Sequence, residues 1–226
     1  MKTIILAGGQ GTRLPHSAAA IPKALVPVSG RTILDRQLDM LACHGLTDVR
    51  LALGFRADQI IAHIRASGRK NVEHVVEPEP LGTGGAARFA SRGLAEPFLV
   101  LNGDTIADFD FSAIVGTHRP GTALMVSHWC DDARDFGLLD VADGAIRSFL
   151  EKPAEPRPGF INAGCYILQP DHFAGVSAPA FMLEQAIFPR LAERGLLYTV
   201  HHRGFWEDVG TEERLAAVRS REFPAV

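Results

Sequence analysis

Short apolar segments alternate with amphipathic segments along the first half of the chain. The apolar segments contain few polar positions, which is typical of strands buried on both faces. They are Thr3–Ala7, Val49–Leu53, Val72–Val76, Phe98–Leu101 and Ala123–Ser127. Between them, Thr32–His44 and Ala57–Ser67 carry apolar residues at helical spacing, and a glycine follows each of them. This order predicts an α/β fold with a Rossmann-like open sheet, parallel strands and helices on both faces.

The pattern changes after about residue 120. Three strand-like segments, Phe136–Val141, Ala145–Phe149 and Phe160–Leu168, follow one another without helices between them. They predict a small antiparallel lobe inserted into the sheet, so that the sheet as a whole is mixed. The segments Phe181–Arg194 and Glu212–Arg221 have the pattern of helices. We expect the whole chain, residues 1–226, to form a single domain.

Composition narrows the class of protein. The chain has 226 residues, of which 46% are hydrophobic and 22% charged, and its formal net charge is -3. No stretch concentrates Lys and Arg, so we expect no nucleic-acid partner. No apolar run approaches the roughly 18 residues of a membrane span, so we expect no membrane contact. The 3 cysteines are scattered without metal-ligand spacing, which favours a reducing compartment and a soluble, cytoplasmic protein.

A glycine-rich turn follows the first predicted strand. Its residues, Gly8-Gly9-Gln10-Gly11, lie at the carboxyl end of that strand, where ligands of open α/β sheets bind. Glycines let backbone N–H groups approach a phosphate, and Arg13 adds a bidentate phosphate donor. Two common motifs are excluded, because a dinucleotide fingerprint needs glycine at Leu14 and a Walker loop needs Gly-Lys-Ser/Thr. The alternative is a plain turn beside a surface arginine.

The same turn carries a resemblance to a known family. The residues G-G-x-G-T-R-L, followed by Pro22-Lys23, resemble the signature of the sugar-1-phosphate nucleotidyltransferases. The resemblance implies the fold of the nucleotide-diphospho-sugar transferases and a nucleoside triphosphate as substrate. It implies that Arg13 and Lys23 are the catalytic cations, which bind the triphosphate and stabilise charge during the transfer. It also implies nucleotide-binding residues in and beside the turn. They are Leu6, Gly8, Gly9, Gly11 and Thr12.

Two aspartates match the metal-binding motifs of this family. Asp104 follows an apolar strand in N-G-D, and Asp208 lies in W-x-D-x-G-T. The resemblance implies that both bind Mg²⁺, a hard cation that takes one or two carboxylates together with phosphate oxygens and water. Without the resemblance, an aspartate after a strand is usually a turn residue or a helix cap. No catalytic base is needed, because a sugar phosphate is already a charged nucleophile.

The segment from Glu77 to Ala86 resembles the base-recognition segment of the family. Members that use UTP or dTTP commonly carry glutamine where this chain has Glu77. A carboxylate only accepts hydrogen bonds, and guanine presents two adjacent donors, so Glu77 favours GTP. Gly82 and Thr83 are expected to complete the nucleotide contacts. The alternative is that Glu77 merely precedes a turn.

Two further motifs, E-K-P from Glu151 and N-x-G from Asn162, resemble the sugar-binding segments of the family. The resemblance implies that Glu151 and Asn162 bind sugar hydroxyls and that Lys152 binds the phosphate of the sugar. Gly137 is expected to let the sugar pass close to the backbone. Adjacent side chains point to opposite faces of a regular strand, so Glu151 and Lys152 reach one ligand only if the strand ends there. Without the resemblance, they are an exposed charged pair.

The motifs extend from Lys2 to about Leu215 and predict a nucleotidyltransferase. Residues of about 1–120 and 195–226 are expected to form the nucleotide- and metal-binding core, and residues of about 121–194 the sugar-phosphate portion. The predicted reaction transfers GMP from GTP to a sugar 1-phosphate and releases pyrophosphate. The resemblance extends to the D-glycero-α-D-manno-heptose 1-phosphate guanylyltransferases of bacterial surface-polysaccharide biosynthesis.

Two alternatives stay open. An enzyme that joins UTP or dTTP to glucose, mannose or N-acetylmuramate 1-phosphate would keep every catalytic residue. A catalytically inactive relative could instead serve as a nucleotide-sugar-binding regulatory subunit, although such a protein has less need of two metal ligands. The apolar residues of Phe181–Phe188, if they are exposed, also suggest a homo-oligomer.

Overall fold

The computed structural model describes residues 1–9 and 21–221, with the backbone alone at Glu151. Gly11, Thr12 and Arg13 of the predicted site therefore lie outside the described residues. The strands are β1 (Thr3–Leu6), β2 (Pro27–Val28), β3 (Arg31–Thr32), β4 (Val49–Leu53), β5 (Val72–Val76), β6 (Phe98–Asn102), β7 (Thr105–Ala107), β8 (Ala123–Cys130), β9 (Gly137–Ala142), β10 (Ala145–Glu151), β11 (Gly159–Leu168), β12 (Leu197–His202) and β13 (Trp206–Asp208). The α-helices are α1 (Ile33–Cys43), α2 (Ala57–Ser67), α3 (Gly82–Ala90), α4 (Phe111–Thr117), α5 (Leu183–Ala186), α6 (Phe188–Glu193) and α7 (Glu212–Arg219).

One mixed sheet in the described part of the chain has the strand order β5-β4-β1-β6-β11-β8-β12-β10-β9. The first four of these strands are parallel neighbours, as the alternation of strands and helices predicts. β11 is antiparallel to both β6 and β8, and β9 and β10 form an antiparallel hairpin. The predicted fold class is therefore confirmed. The antiparallel strands extend the main sheet directly, because β11 pairs with β6.

Two hydrophobic cores cover the two faces of this sheet. Ile5 of β1 packs into the core beneath α1 and α2, and the neighbouring Ile4 packs into the core beneath α3, α5 and α6. Both side chains are fully buried. Successive side chains of a strand point to opposite faces, so a strand buried at both positions needs helices on both sides. α1 begins at a Thr32 cap, whose side-chain oxygen accepts a hydrogen bond from the N–H of Asp35 at 3.0 Å.

The helix predicted over Phe181–Arg194 is two short helices, α5 and α6. Phe181 lies outside both, because its carbonyl accepts hydrogen bonds from Gly84 N and Gly85 N of α3, at 2.9 and 3.1 Å. The break falls at Ile187, and α6 carries a proline in its first turn. Proline is favoured in a first turn and disfavoured in a helix interior, so a second helix starts here.

The apolar side chains of this segment are mostly buried. Leu183, Ile187 and Phe188 are fully buried in the core beneath α5 and α6, and Met182 is exposed. The prediction of self-association assumed that these side chains are exposed. That assumption is wrong, since they pack against the sheet.

None of the helices within residues 1–9 and 21–221 combines the length and the apolar character that crossing a membrane requires.

Candidate active site

The carboxyl ends of β1, β4, β5 and β6 border one cleft of about 520 Å³. Parallel strands end together at one edge of a sheet, and a cleft of this size at that edge is typical of a small-molecule site. Eight residues that the sequence predicted line this cleft. They are Leu6, Gly8, Gly9, Lys23, Glu77, Gly82, Thr83 and Asp104. The predicted nucleotide site is thus assembled around one cavity wherever its residues are described.

Gly8 lies in the floor of the cleft, where there is no room for a side chain. A Cβ at Gly8 would lie 2.7 Å from Oε1 of Glu77 and 3.0 Å from the backbone N of Gly54. The carbonyl of Gly8 also accepts a hydrogen bond from Phe55 N at 3.1 Å. A Cβ at Gly9 would meet none of the described atoms within 4 Å. Gly8 therefore serves the internal packing of the site, whereas no described residue limits a side chain at Gly9.

Glu77 follows β5 directly and forms part of the cleft wall. Its Oε2 accepts a hydrogen bond from Leu81 N at 3.0 Å, and its backbone N donates to Leu53 O at 2.7 Å. Burial raises the pKa of the Glu77 carboxyl above its ordinary value, and the hydrogen bond from Leu81 opposes that shift. One carboxylate oxygen is thus held by the backbone, and the other lies beside Gly8.

Thr83, in the first turn of α3, connects the cleft to α5. Its hydroxyl donates to Oε2 of Glu184 at 2.7 Å and accepts from Leu183 N at 2.9 Å. Burial raises the pKa of the Glu184 carboxyl; the hydrogen bond from Thr83 and the charge of Lys152 lower it, and the charge of Asp104 raises it. Glu184 therefore lies within the electrostatic reach of both a predicted sugar-phosphate residue and a predicted metal ligand.

Lys23 and Asp104 form an ion pair across the cleft. Nζ of Lys23 lies 2.6 Å from Oδ2 of Asp104, and the two side chains are 12% and 32% exposed. Pro22 precedes a 3-10 helix, Lys23–Leu25, in which Ala24 is buried. This short helix directs the lysine toward the end of β6. The predicted phosphate-binding cation and a predicted metal ligand thus lie in direct contact.

Asp208 lies next to Asp104 because β13 pairs antiparallel with β7. The backbone N of Val209 donates to the carbonyl of Asp104 at 2.8 Å. Oδ1 of Asp208 accepts hydrogen bonds from Gly210 N at 2.6 Å and from Arg214 Nη1 at 3.2 Å. Both hydrogen bonds that the described residues make to this carboxylate fall on Oδ1, so Oδ2 is left for another ligand.

The donor set of these two aspartates fits a hard divalent cation. Mg²⁺ prefers carboxylate oxygens and needs one or two of them when phosphate oxygens and water complete its shell. Within residues 1–9 and 21–221, no group of three or more His, Cys, Asp or Glu side chains is arranged to hold a metal. Asp104 and Asp208 are therefore the candidate ligands, and a substrate phosphate would have to supply further oxygens.

The predicted sugar-phosphate residues lie on the antiparallel strands or directly after one. Gly137, Lys152 and Asn162 do not line the described part of the cleft. Glu151 is the last residue of β10 and pairs with Gly137 of β9. Lys152 follows with a φ of 49°, and its backbone N donates to Phe136 O at 3.0 Å. The expectation that the strand ends between Glu151 and Lys152 is confirmed. A left-handed backbone is uncommon for a residue other than glycine, so the hydrogen bond to Phe136 holds Lys152 in a strained conformation.

Asn162 lies at an irregularity of β11, where the register toward β8 shifts. Its Oδ1 accepts a hydrogen bond from Gly164 N at 2.9 Å. Gly164 has a φ of 75°, and a Cβ there would lie 2.9 Å from Nδ2 of Asn102. The N-x-G motif therefore forms the bulge by which β11 bends toward the end of β6. Its sugar-binding role stays a prediction.

Sequence reasoning missed two charged residues at the site, Glu184 and Arg214. Glu184 lies in a segment whose pattern indicates only an amphipathic helix. Arg214 lies in the first turn of α7, where Thr211 Oγ1 accepts a hydrogen bond from its backbone N. The helix dipole disfavours a cation in a first turn, so an arginine at that place was the signal available in the sequence.

Comparison with known proteins agrees with this geometry. The family model described as Nucleotidyl transferase matches residues 2–222. The chain belongs to the nucleotidyl transferase family. The match covers almost the whole chain, and the family predicted from the motifs is confirmed.

Two curated relatives in this family are named for one activity. The mannose-1-phosphate guanylyltransferase catalytic subunit beta of Drosophila pseudoobscura pseudoobscura is 37% identical over 92% of this chain and 59% of its own length. The mannose-1-phosphate guanyltransferase of Saccharomyces cerevisiae is 35% identical over 93% of this chain and 61% of its own length. The chain thus spans about three fifths of the length of these relatives.

Solved structures share the fold over nearly full length. HddC from Yersinia pseudotuberculosis, complexed with GMP-PN, is 30% identical with a TM-score of 0.85 and covers 97% of this chain and 98% of its own. A putative glucose-1-phosphate thymidylyltransferase from Bacillus anthracis has a TM-score of 0.87 at 24% identity and covers 100% of this chain and 98% of its own. The second likeness shows the fold alone.

Proposed function

We propose that this chain transfers a guanylyl group from GTP to a sugar 1-phosphate, which yields a GDP-sugar and pyrophosphate. The observation that carries the proposal is the contact of Lys23 with Asp104 at the end of β6, in the same cleft as Glu77. A cation, a carboxylate and a hydrogen-bond acceptor are the groups needed for the triphosphate, its metal and the guanine edge. The names of the two curated relatives support the guanylyl group.

The reaction is an in-line displacement at the α-phosphorus of GTP. An oxygen of the sugar phosphate forms the new P–O bond, and the bond from the α-phosphorus to the pyrophosphate oxygen breaks with its electron pair. Lys23, together with Arg13 outside the described residues, would neutralise charge on the triphosphate as it redistributes. Positioning and charge neutralisation supply the rate, and no covalent enzyme intermediate forms.

Magnesium is proposed as the cofactor, held by Asp104 and Asp208. When bound, it would act as a Lewis acid on phosphate oxygens and reduce the repulsion between two anionic substrates. The carboxylate of Asp104 holds Lys23 at 2.6 Å, so a cation at Asp104 would free the ammonium for phosphate. Activity should be lost with a chelator and restored by added Mg²⁺.

The proposed sugar has the manno ring configuration. D-glycero-α-D-manno-heptose 1-phosphate is the substrate that the sequence resemblance favours, and the curated relatives are named for mannose 1-phosphate. The two sugars share the ring stereochemistry and differ beyond C5. Sugar contacts are assigned to Glu151, Lys152 and Asn162, with Gly137 beside them. The product would be an activated donor for bacterial surface polysaccharides, made in the cytoplasm.

One experiment separates this proposal from its alternatives. Pyrophosphate release is measured with four nucleoside triphosphates, each combined with heptose, mannose, glucose and N-acetylmuramate 1-phosphates. Turnover limited to GTP with a manno sugar supports the proposal. Turnover with UTP or dTTP would replace it with a pyrimidine-nucleotide enzyme. Tight GDP-sugar binding without turnover for any pair would indicate a regulatory subunit.

A further inference from the structure

We propose that Arg214 is a positioning residue that ties the metal carboxylate of Asp208 to the loop that holds Lys152. The inference rests on the proposed function, which assigns Asp208 to the metal and Lys152 to the sugar phosphate. It gives a role to a cation in the first turn of α7, where the helix dipole opposes it.

The first half of the link is the contact with the metal carboxylate. Nη1 of Arg214 donates to Oδ1 of Asp208 at 3.2 Å, and its Nε lies 3.9 Å from Oε1 of Glu207. The side chains of Arg214 and Asp208 are both about four-fifths buried, being 20% and 19% exposed. Arg214 is thus anchored on Oδ1 of Asp208, an oxygen that also accepts the shorter hydrogen bond from Gly210 N at 2.6 Å.

The second half of the link is the loop before β9. Nη2 of Arg214 donates to Oδ2 of Asp135 at 2.6 Å, and its Cζ lies 4.5 Å from the ring centroid of Phe136. A planar guanidinium can donate from two nitrogens to two carboxylates while its face stacks on a ring. A lysine has one nitrogen and no planar face, so it could not make all three contacts.

The loop in turn holds Lys152. Phe136 O accepts the hydrogen bond from Lys152 N at 3.0 Å, and Phe136 N donates to Ala133 O at 2.9 Å. Lys152 has the left-handed backbone conformation that this bond stabilises. Three contacts therefore connect Asp208 to Lys152. The guanidinium of Arg214 donates to Asp208, it stacks on the Phe136 ring, and Phe136 O accepts a hydrogen bond from Lys152 N. Each of them is a direct contact.

The link differs from an ordinary surface ion pair in what its loss should change. Asp135 is 57% exposed, and exposed ion pairs contribute little to the free energy of unfolding. The pair with Asp208 is about four-fifths buried, so removal of Arg214 should lower the melting temperature to some extent, and it should also loosen Lys152. A residue that only stabilised α7 would lower the melting temperature and affect both substrates alike.

The test compares R214M and R214K with a control on the same helix, R219M. Arg219 Nε donates to Pro27 O at 3.1 Å, so R219M removes an exposed arginine contact of the same helix away from the site. For R214M we expect the KM for the sugar 1-phosphate to rise about tenfold and the KM for GTP to change less than about twofold. R214K should recover little of this loss. In the R214M background, D135N should raise the KM for the sugar 1-phosphate almost no further, because both changes remove the same contact between Arg214 and Asp135.

Hydrogen exchange of the metal-free protein provides a readout that does not need activity. In R214M we expect the amide of Lys152 to exchange about tenfold faster than in the wild type, with no such change in R219M. Unchanged exchange at Lys152, or equal effects on the KM values of both substrates, would overturn the proposal. If the wild type turns over no substrate pair, the proposed function fails, and the exchange experiment still decides whether Arg214 holds the loop.

Discussion

Two parts of this molecule place their functional groups in different ways. The nucleotide half, residues of about 1–120 and 195–226, is proposed to bind the nucleotide and the metal, and the sugar half, residues of about 121–194, is proposed to bind the sugar phosphate. In the nucleotide half, the ends of four parallel strands bring Gly8, Glu77 and Asp104 to one cleft, and Lys23 contacts Asp104 directly. In the sugar half, the backbone of Lys152 is left-handed and depends on one hydrogen bond to Phe136. The first arrangement follows from the sheet itself, and the second depends on individual residues around it.

The difference indicates where substitutions should act. A group placed by converging strands cannot move without disturbing the sheet, so its loss removes chemistry while its neighbours stay in place. A group placed by a strained turn can shift when a distant contact is lost. We therefore expect a change in the nucleotide half to remove one function at its own position, turnover at Asp104 or GTP binding at Glu77. A change in the sugar half should weaken binding of the sugar 1-phosphate.

The largest effect is expected at Asp104. D104N removes a proposed metal ligand and the partner of Lys23, so pyrophosphate release should fall roughly 100- to 1,000-fold. The melting temperature should stay near the wild-type value, since the side chain is 32% exposed. D58N, at an exposed aspartate in the first turn of α2, is the control and should keep full activity. A loss of GTP turnover below about tenfold would contradict the assigned role of Asp104.

Lys152 tests the sugar half through two variants that lack the ammonium. K152M and K152G should both raise the KM for the sugar 1-phosphate by about 10- to 100-fold, because the phosphate loses its cation. K152G should be more stable than K152M by about 1 kcal/mol, since glycine adopts a positive φ without strain. Kinetics and urea unfolding measure the two effects. Equal stabilities would show that the backbone at this position is not strained.

Gly8 and Gly9 are a matched pair within the nucleotide half. G8A should lower the free energy of unfolding by about 1–3 kcal/mol, because its Cβ would lie 2.7 Å from Glu77 Oε1. The Cβ of G9A would meet no described atom within 4 Å, so this change should alter stability by less than about 0.5 kcal/mol. Urea unfolding of the two variants makes the comparison. Similar losses of unfolding free energy in both variants would contradict the prediction. They would mean that Glu77 and Gly54 can move to make room for a side chain at Gly8.

The smallest effect concerns the pH dependence of GTP binding at Glu77. Burial raises the pKa of this carboxyl, so protonation should begin at a higher pH than for an ordinary glutamate. The KM for GTP should therefore rise as the pH falls through that range, because the protonated group loses its acceptor role. E77Q should bind GTP about tenfold more weakly and show a flat profile there. E96Q, at an exposed glutamate that does not line the cleft, should keep the wild-type profile.

The same pKa shift affects the stability of the fold in the opposite direction to GTP binding. A carboxyl whose pKa is raised in the folded state favours folding when it is protonated, and this contribution is lost as the pH rises through the folded pKa. The melting temperatures of the wild type and E77Q, measured against pH, should therefore be closest at low pH. As the pH rises, the melting temperature of the wild type should fall relative to that of E77Q. A wild type that gains stability over E77Q with rising pH would contradict the burial of Glu77.

The parallel strands and the cleft could be predicted because hydrophobic pattern and position at the sheet edge are local properties of the sequence. Val49–Leu53, Val72–Val76 and Ala57–Ser67 begin and end where the pattern predicts. α3 was missed because its glycines are poor helix formers. A Cβ at Gly84 would lie 2.3 Å from the ring of Phe181, so these glycines permit a close approach that no local pattern reveals.

The parts of the site that could not be predicted depend on contacts between distant segments. Glu184 acquires its place through Thr83, and Arg214 through Asp135, and neither pair is close in sequence. The left-handed backbone of Lys152 follows from a hydrogen bond to a loop that lies before β9. The E-K-P motif indicated that the strand ends there, but it could not indicate what holds the turn.

The short ribbon of β7 and β13 also bears on the order of folding. Thr105 and Asp208, about 100 positions apart, face each other in this ribbon, although each strand has only 3 residues. So few backbone bonds gain little against the entropy of closing so long a loop, and we expect this pairing to form after the main sheet is in place. Asp208, the second proposed metal ligand, would then reach its place last. Metal affinity, followed during refolding, would report the final step by which the chain becomes a catalyst.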